Sequence, residues 1–212
     1  MNAVFMGVIV PLSILLPIFM GIYRYRSLPV YAKYVLLYLI VSGVINNTAT
    51  VMAKVYHANN LPLTHLLAVM EFLIFALFYG RLLYKEKPTL TFQLLPLFFF
   101  MACVVNTLFF QSIFTFNSYS RSLGALIIML LAINYFAKIA ATQSDQKVTA
   151  MPSFWFNTAI FLYYSGGFML FIFSNFMLHE SRSNFDLIWN IHAALVLLMY
   201  ILFTIGFIKC NK

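Results

Sequence analysis

Charge is scarce in this sequence. Only 8% of its 212 residues are Asp, Glu, Lys or Arg, five are acidic, and 63% are hydrophobic. A water-soluble domain of this length could not hide so much apolar surface in one core, so a soluble globular fold is excluded and lipid becomes the expected solvent. Cysteine is almost absent too. Cys103 lies within an apolar run and Cys210 near the end of the chain, at depths where the two would not meet. With no CxxC pair, neither a disulfide framework nor a redox motif is expected.

Other absences bear on particular functions. The last apolar stretch, 186–208, contains no lysine, which a retinal Schiff base would require. No HxxxH pair occurs, and only His65, His192 and Glu71 are at hand for a zinc-dependent lipid-amide hydrolase, which needs several converging ligands. The Pro-Gln pair of SWEET and PQ-loop sugar carriers is missing from every span, although their architecture of two three-helix bundles would suit the chain. Glu71 is the single acidic residue within a span, since Glu86, Asp145, Glu180 and Asp186 fall in or beside connections. That leaves no acidic relay for a cation-coupled pump. The net charge of +8 is spread loop by loop, so it reads as a topology signal, and no nucleic-acid partner is expected.

What is present is a series of apolar runs of the roughly 20 residues that a bilayer core demands. They lie at about 3–22, 31–53, 61–83, 90–113, 119–139, 153–177 and 186–208. This predicts an all-α, polytopic bundle of seven transmembrane helices forming a single domain over residues 1–212. The first run has its arginines after it and no basic segment before it, which favours an uncleaved helix over a signal peptide. Ten of the thirteen basic residues then fall on one side, at Arg24, Arg26, Lys33, Arg81, Lys85, Lys87, Lys138, Lys147, Lys209 and Lys212. Lys54, Arg121 and Arg182 fall on the other. The positive-inside rule places the N-terminus outside and the C-terminus in the cytoplasm. Tyr23, Tyr25, Tyr31, Tyr34, Tyr84, Tyr119 and Trp155 sit near helix ends, where aromatic side chains anchor in the headgroup zone. Pro11, Pro17 and Pro96 predict kinks. The in-out order of spans 1–3 repeats in spans 5–7, and Ser42-Gly43 recurs as Ser165-Gly166, a hint of a parallel repeat.

Polar residues within lipid are costly and usually face the bundle interior, so their placement carries the functional reading. Most are expected in the outer half. Asn46 and Asn47 close the second span, with Asn47 and Thr50 on one stripe; Thr64, His65 and Glu71 belong to the third. Seven positions put Thr64 almost above Glu71, whereas His65 is turned away by about 120°. Asn106 lies in the fourth span, Arg121 opens the fifth, Tyr164 and Asn175 share a stripe of the sixth, and Trp189 and His192 share a face of the seventh. Thr50 apart, these eleven residues are the candidate ligand-binding set. Snorkelling to phosphate headgroups is the expected behaviour of Arg121, and a counter-charge for Glu71 or for an anionic ligand is the alternative. No catalytic residue, metal or cofactor is assigned.

The segments THLLAVMEFLIFALFYGRLL (64–83), PSFWFNTAIFLYYSGGFMLFIFSN (152–175) and LIWNIHAALVLLMYILFTIGF (187–207) resemble a family of seven-helix inner-membrane proteins of Gram-negative bacteria. The matching positions are His65, Glu71, Phe72, Pro152, Trp155, Tyr164, Ser165, Gly166, Trp189 and His192. The resemblance implies a multi-pass inner-membrane location and, from gene neighbourhood, a sensor histidine kinase as partner. The expected function is a non-enzymatic, receptor-like or accessory sensory bundle with an outward polar pocket for a small or lipidic ligand. A small-solute or lipid transporter is the alternative, and a membrane hydrolase or a structural subunit of a larger complex comes third.

Overall fold

The structure is a computed structural model and describes residues 5–84, 90–142, 147–173 and 182–210. Those residues are helical throughout apart from turns and connections, with no strand among them. Seven helices are long and apolar enough to cross a membrane: α1 (Phe5–Tyr23), α2 (Val30–Lys54), α3 (Leu61–Leu83), α4 (Leu90–Phe109), α5 (Ser118–Ala141), α6 (Pro152–Ile172) and α7 (Arg182–Lys209). Where the expected bounds fall on described residues they agree to a few positions, with two informative exceptions; residues 3–4 of the first expected span and 174–177 of the sixth lie outside the described residues. Helix α4 stops at Phe109, short of residue 113: the Phe110 amide keeps the helical bond to the Asn106 carbonyl, but the Gln111 amide reaches back to that same carbonyl instead of continuing the ladder. Helix α7 starts at Arg182, before the fully apolar stretch begins.

Chain punctuation follows proline. Pro29, Pro62 and Pro152 stand at or just before the first turns of α2, α3 and α6, where the missing amide has no helical partner to lose. Inside α1 proline has the opposite effect. The helix begins as a π-turn over Phe5–Ile9, continues as α-helix through Val10–Ser13 and is interrupted at Ile14 before resuming at Leu15. Neither Pro11 nor Pro17 can donate to the ladder, so the Gly7 carbonyl in the π-turn and the Ser13 carbonyl at the break lose their i→i−4 donors, and Ser13 Oγ bonds the Val10 carbonyl at 2.6 Å.

Six helices close into a ring in the order α1, α2, α3, α5, α6, α7, with α7 returning to α1; α4 lies outside it against α3 and α5. Without a hydrophobic drive between helices in lipid, such contacts depend on close packing at small residues. The position of a Cβ on Gly206 of α7 lies 2.6 Å from Phe156 Cε1 of α6, so only glycine admits that ring. Helix α4 is held by Phe99, which stacks on Phe72 at 3.9 Å and covers Gly124 of α5. The outward surfaces are apolar: Leu16, Phe19, Val44, Leu97, Phe98, Leu130 and Ile201 are all exposed. That is the reverse of a soluble protein and suits acyl chains.

Polar groups are also buried near the end carrying Arg24, Lys138 and Lys209, although most intramembrane polarity was expected in the other half. Tyr79 donates to Asn157 Oδ1 at 2.8 Å, and Asn157 Nδ2 donates to the Ala132 carbonyl at 3.2 Å, joining α3, α6 and α5. Tyr135 bonds Ser153 Oγ at 2.6 Å. Lys138 caps the end of α3 through the Leu82 and Leu83 carbonyls. Tyr31, expected as an interface anchor, instead packs edge-on against Phe78 and Phe156.

Candidate binding cavity

The interior opens into a cavity of about 340 Å³ at the end opposite Lys138, a volume within the range of small-molecule pockets, about 300–1,000 Å³. Every helix of the ring contributes to it. Pro11 and Ile14 come from α1, Tyr38, Asn46, Asn47 and Thr50 from α2, Thr64 and Glu71 from α3, Arg121 from α5, Tyr163 and Phe171 from α6, and Trp189, His192 and Tyr200 from α7. Phe116 and Asn117, on the connection before α5, complete the wall.

Glu71 is its centre. The carboxylate is buried in α3, and its Oε2 accepts from Arg121 Nη2 across 3.3 Å. Arg121 therefore does not snorkel as the sequence reading expected: only 22% of its side chain is exposed. It sits in the first turn of α5, where the helix dipole disfavours a cation. Two neighbours offset this, the Glu71 carboxylate and the Phe171 ring, whose centroid lies 5.0 Å from the guanidinium carbon in a cation–π arrangement. The pair occupies only part of each group. Glu71 Oε1 has no hydrogen bond among the described residues, and Arg121 Nε is buried without one.

His192 faces the same space from an aromatic surround. Its ring centroid lies 5.6 Å from Tyr163, 5.9 Å from Phe171 and 5.6 Å from Trp189, and its Nδ1 is buried with no hydrogen-bond partner among the described residues. Phe116 packs on Trp189 at 6.3 Å. The cavity thus presents aromatic faces around one ion pair and several amide and hydroxyl groups.

No family model, curated protein or solved structure matches this chain.

Of the eleven residues singled out from the sequence, Asn46, Asn47, Thr64, Glu71, Arg121, Trp189 and His192 line this one cavity. Asn175 lies outside the described residues. The other three stand elsewhere. His65 is turned away from Glu71, as its helical position requires, and its Nε2 lies 3.1 Å from the Thr115 carbonyl. Asn106 donates to Gln111 Oε1 at 3.2 Å, and Gln111 in turn holds Ser118 Oγ and the Tyr119 amide. Together with Asn59, which donates to the Phe114 carbonyl, these residues fasten the connection 110–117 to the bundle. Tyr164 packs between Phe75 and Tyr163, and it is the adjacent Tyr163 that reaches the cavity.

Tyr38, Tyr163, Phe171, Tyr200, Phe116 and Asn117 were not foreseen. Aromatic residues in apolar runs carry no mark that separates a cavity wall from lipid contact. The adjacent pair Tyr163-Tyr164 differs by only about 100° around the helix, too little to assign a face before neighbours are known. For metal chemistry, no three His, Cys, Asp or Glu side chains converge among the described residues.

Proposed function

We propose that this chain is an inner-membrane receptor-like or accessory sensory protein, with its N-terminus outside and its C-terminus in the cytoplasm. Its cavity receives a small or lipidic ligand, and the bundle passes that state to a protein partner such as a sensor histidine kinase. The observation that carries the reading is the cavity itself: a charged pair, a histidine and several amides gathered around one space at one end of the bundle. Polar groups so placed in lipid are costly and are usually retained for function. The excess of basic residues at the opposite end supports the orientation.

The test is purification in mild detergent from the native membrane, followed by mass spectrometry of everything retained. A signalling protein that co-purifies, and whose output changes with Glu71→Gln, is the expected result. Turnover of a lipid or peptide by the purified protein would overturn the reading.

A transporter is the second reading, supported by the placement of α4 outside a ring of two three-helix sets and by the interrupted α1. Solute flux into proteoliposomes that Glu71→Gln abolishes would place it first.

A further inference from the structure

Charge balance within the cavity narrows the chemistry of its ligand. Glu71 and Arg121 are the only acidic and the only permanently basic side chains among the described residues that line it, and they are already paired at 3.3 Å. These lining side chains are therefore neutral in sum, with both charges side by side. A ligand bearing a single charge would leave one charge uncompensated in a poorly solvated space, which is the costly situation for buried ions. A ligand bearing both signs would not.

Each member of the pair keeps one atom that the pairing does not use. Arg121 Nε is a buried donor without an acceptor, while Glu71 engages only Oε2 and leaves Oε1 to accept. Asn117 Oδ1 and His192 Nδ1 are further buried groups without hydrogen bonds among the described residues, and both residues line the cavity. The rings of Tyr163, Phe171 and Trp189 stand around His192 and line the cavity, an apolar surface for a ligand's hydrocarbon chain.

We propose that the cavity binds a zwitterion, with a carboxylate or phosphodiester of the ligand against Arg121 and its primary ammonium against Glu71. This rests on reading the cavity as a ligand site and deepens it by naming the ligand's chemistry. Two sources carry that chemistry, a free apolar amino acid and the headgroup of an aminophospholipid. Binding extends the internal ion pair into a four-charge array in which every charge has an opposite neighbour.

The test uses the full chain in detergent with Trp155→Phe, leaving Trp189 in the cavity wall as the only tryptophan. Its fluorescence is titrated with leucine, with 4-methylpentanoate (the anion alone), with 3-methylbutylamine (the cation alone), with 4-methylpentanamide (uncharged) and with glycerophosphoethanolamine. One of the zwitterions is expected to bind at least about tenfold more tightly than any single-charge or uncharged probe, a difference of about 1.4 kcal/mol. Preference for leucine identifies the free amino acid, and preference for glycerophosphoethanolamine identifies the headgroup. Equal binding across the series, or none by either zwitterion, overturns the proposal. As a second arm, Glu71→Gln should turn the preference towards 4-methylpentanoate and Arg121→Gln towards 3-methylbutylamine; the ranking by the Trp155→Phe protein decides alone if these variants fold poorly. A zwitterion that binds while no partner protein responds would refute the receptor reading and leave this assignment standing. A responsive partner with no zwitterion preference would do the reverse.

Discussion

Glu71 and Arg121 are 50 positions apart on different helices, yet their side chains meet at 3.3 Å within a bundle where almost every other charge lies near a helix end. Neither would be stable there alone. Removing one partner of a buried pair leaves an uncompensated charge, at a cost on the order of 3 kcal/mol, whereas removing both is often nearly neutral. Arg121→Gln alone should therefore lower the unfolding temperature in detergent more than the double variant Glu71→Gln/Arg121→Gln does. A thermal double-mutant cycle reads this directly, and additive losses would show that the two groups do not stabilise one another.

Two glycines make a contrasting pair. A Cβ on Gly206 would meet the aromatic ring of Phe156 at 2.6 Å, and that ring is fully buried between Phe203 and Phe207. A Cβ on Gly166 would meet the Leu195 methyl groups at 2.7 and 2.9 Å, and a leucine side chain can change rotamer. Gly206→Ala should destabilise by about 1–3 kcal/mol, as overpacking does, and Gly166→Ala by clearly less. Equal shifts in unfolding midpoint would mean that the α6–α7 contact is looser than drawn here.

Asn157 is fully buried and holds two other helices at once, accepting from Tyr79 and donating to the Ala132 carbonyl. Asn157→Leu strands the Tyr79 hydroxyl, which should cost about 1–2 kcal/mol. Adding Tyr79→Phe removes the stranded group and should recover part of the loss. The check is the unfolding midpoint of the two single variants and the double, and no recovery would locate the defect in packing rather than in the hydrogen bond.

The helices were legible in the sequence because lipid imposes a length and a composition that few other environments impose. The cavity was legible in part for the same reason: Glu71, Arg121 and His192 stand out against apolar neighbours, and helical spacing alone turned His65 away from Glu71. What the sequence withheld was pairing across helices. Nothing local distinguishes an Arg121 that snorkels from one that reaches Glu71, since the choice depends on how α3 and α5 pack. The Asn157 knot went unseen because a lone asparagine in an aromatic run announces no partner. The role of Asn106 was hidden by the early end of α4, which creates the turn that Gln111 organises.

The last prediction concerns Cys210, just past the end of α7. It is buried at 2% exposure, its thiol donates to the Gly206 carbonyl at 3.4 Å, and its own carbonyl accepts from Ser27 and Arg24. Burial pushes the thiol up to about 11, with the nearby Arg24 charge pulling weakly the other way, because a thiolate loses solvation there. Only the thiolate reacts with alkylating agents. In a Cys103→Ala background, iodoacetamide labelling of the folded protein should stay slow at pH 8–9 and rise steeply only towards pH 11, while the denatured chain labels readily around the ordinary thiol value of about 8.5. The sign for stability follows. The raised thiol favours the folded state fully below the unfolded value, and that contribution is lost as pH climbs from there through the folded value. The protein should thus lose stability between about pH 9 and 11 by more than a Cys210→Ser variant does, and a Cys210 that labels at the same rate folded and denatured at pH 8.5 would show that the end of α7 is open to solvent.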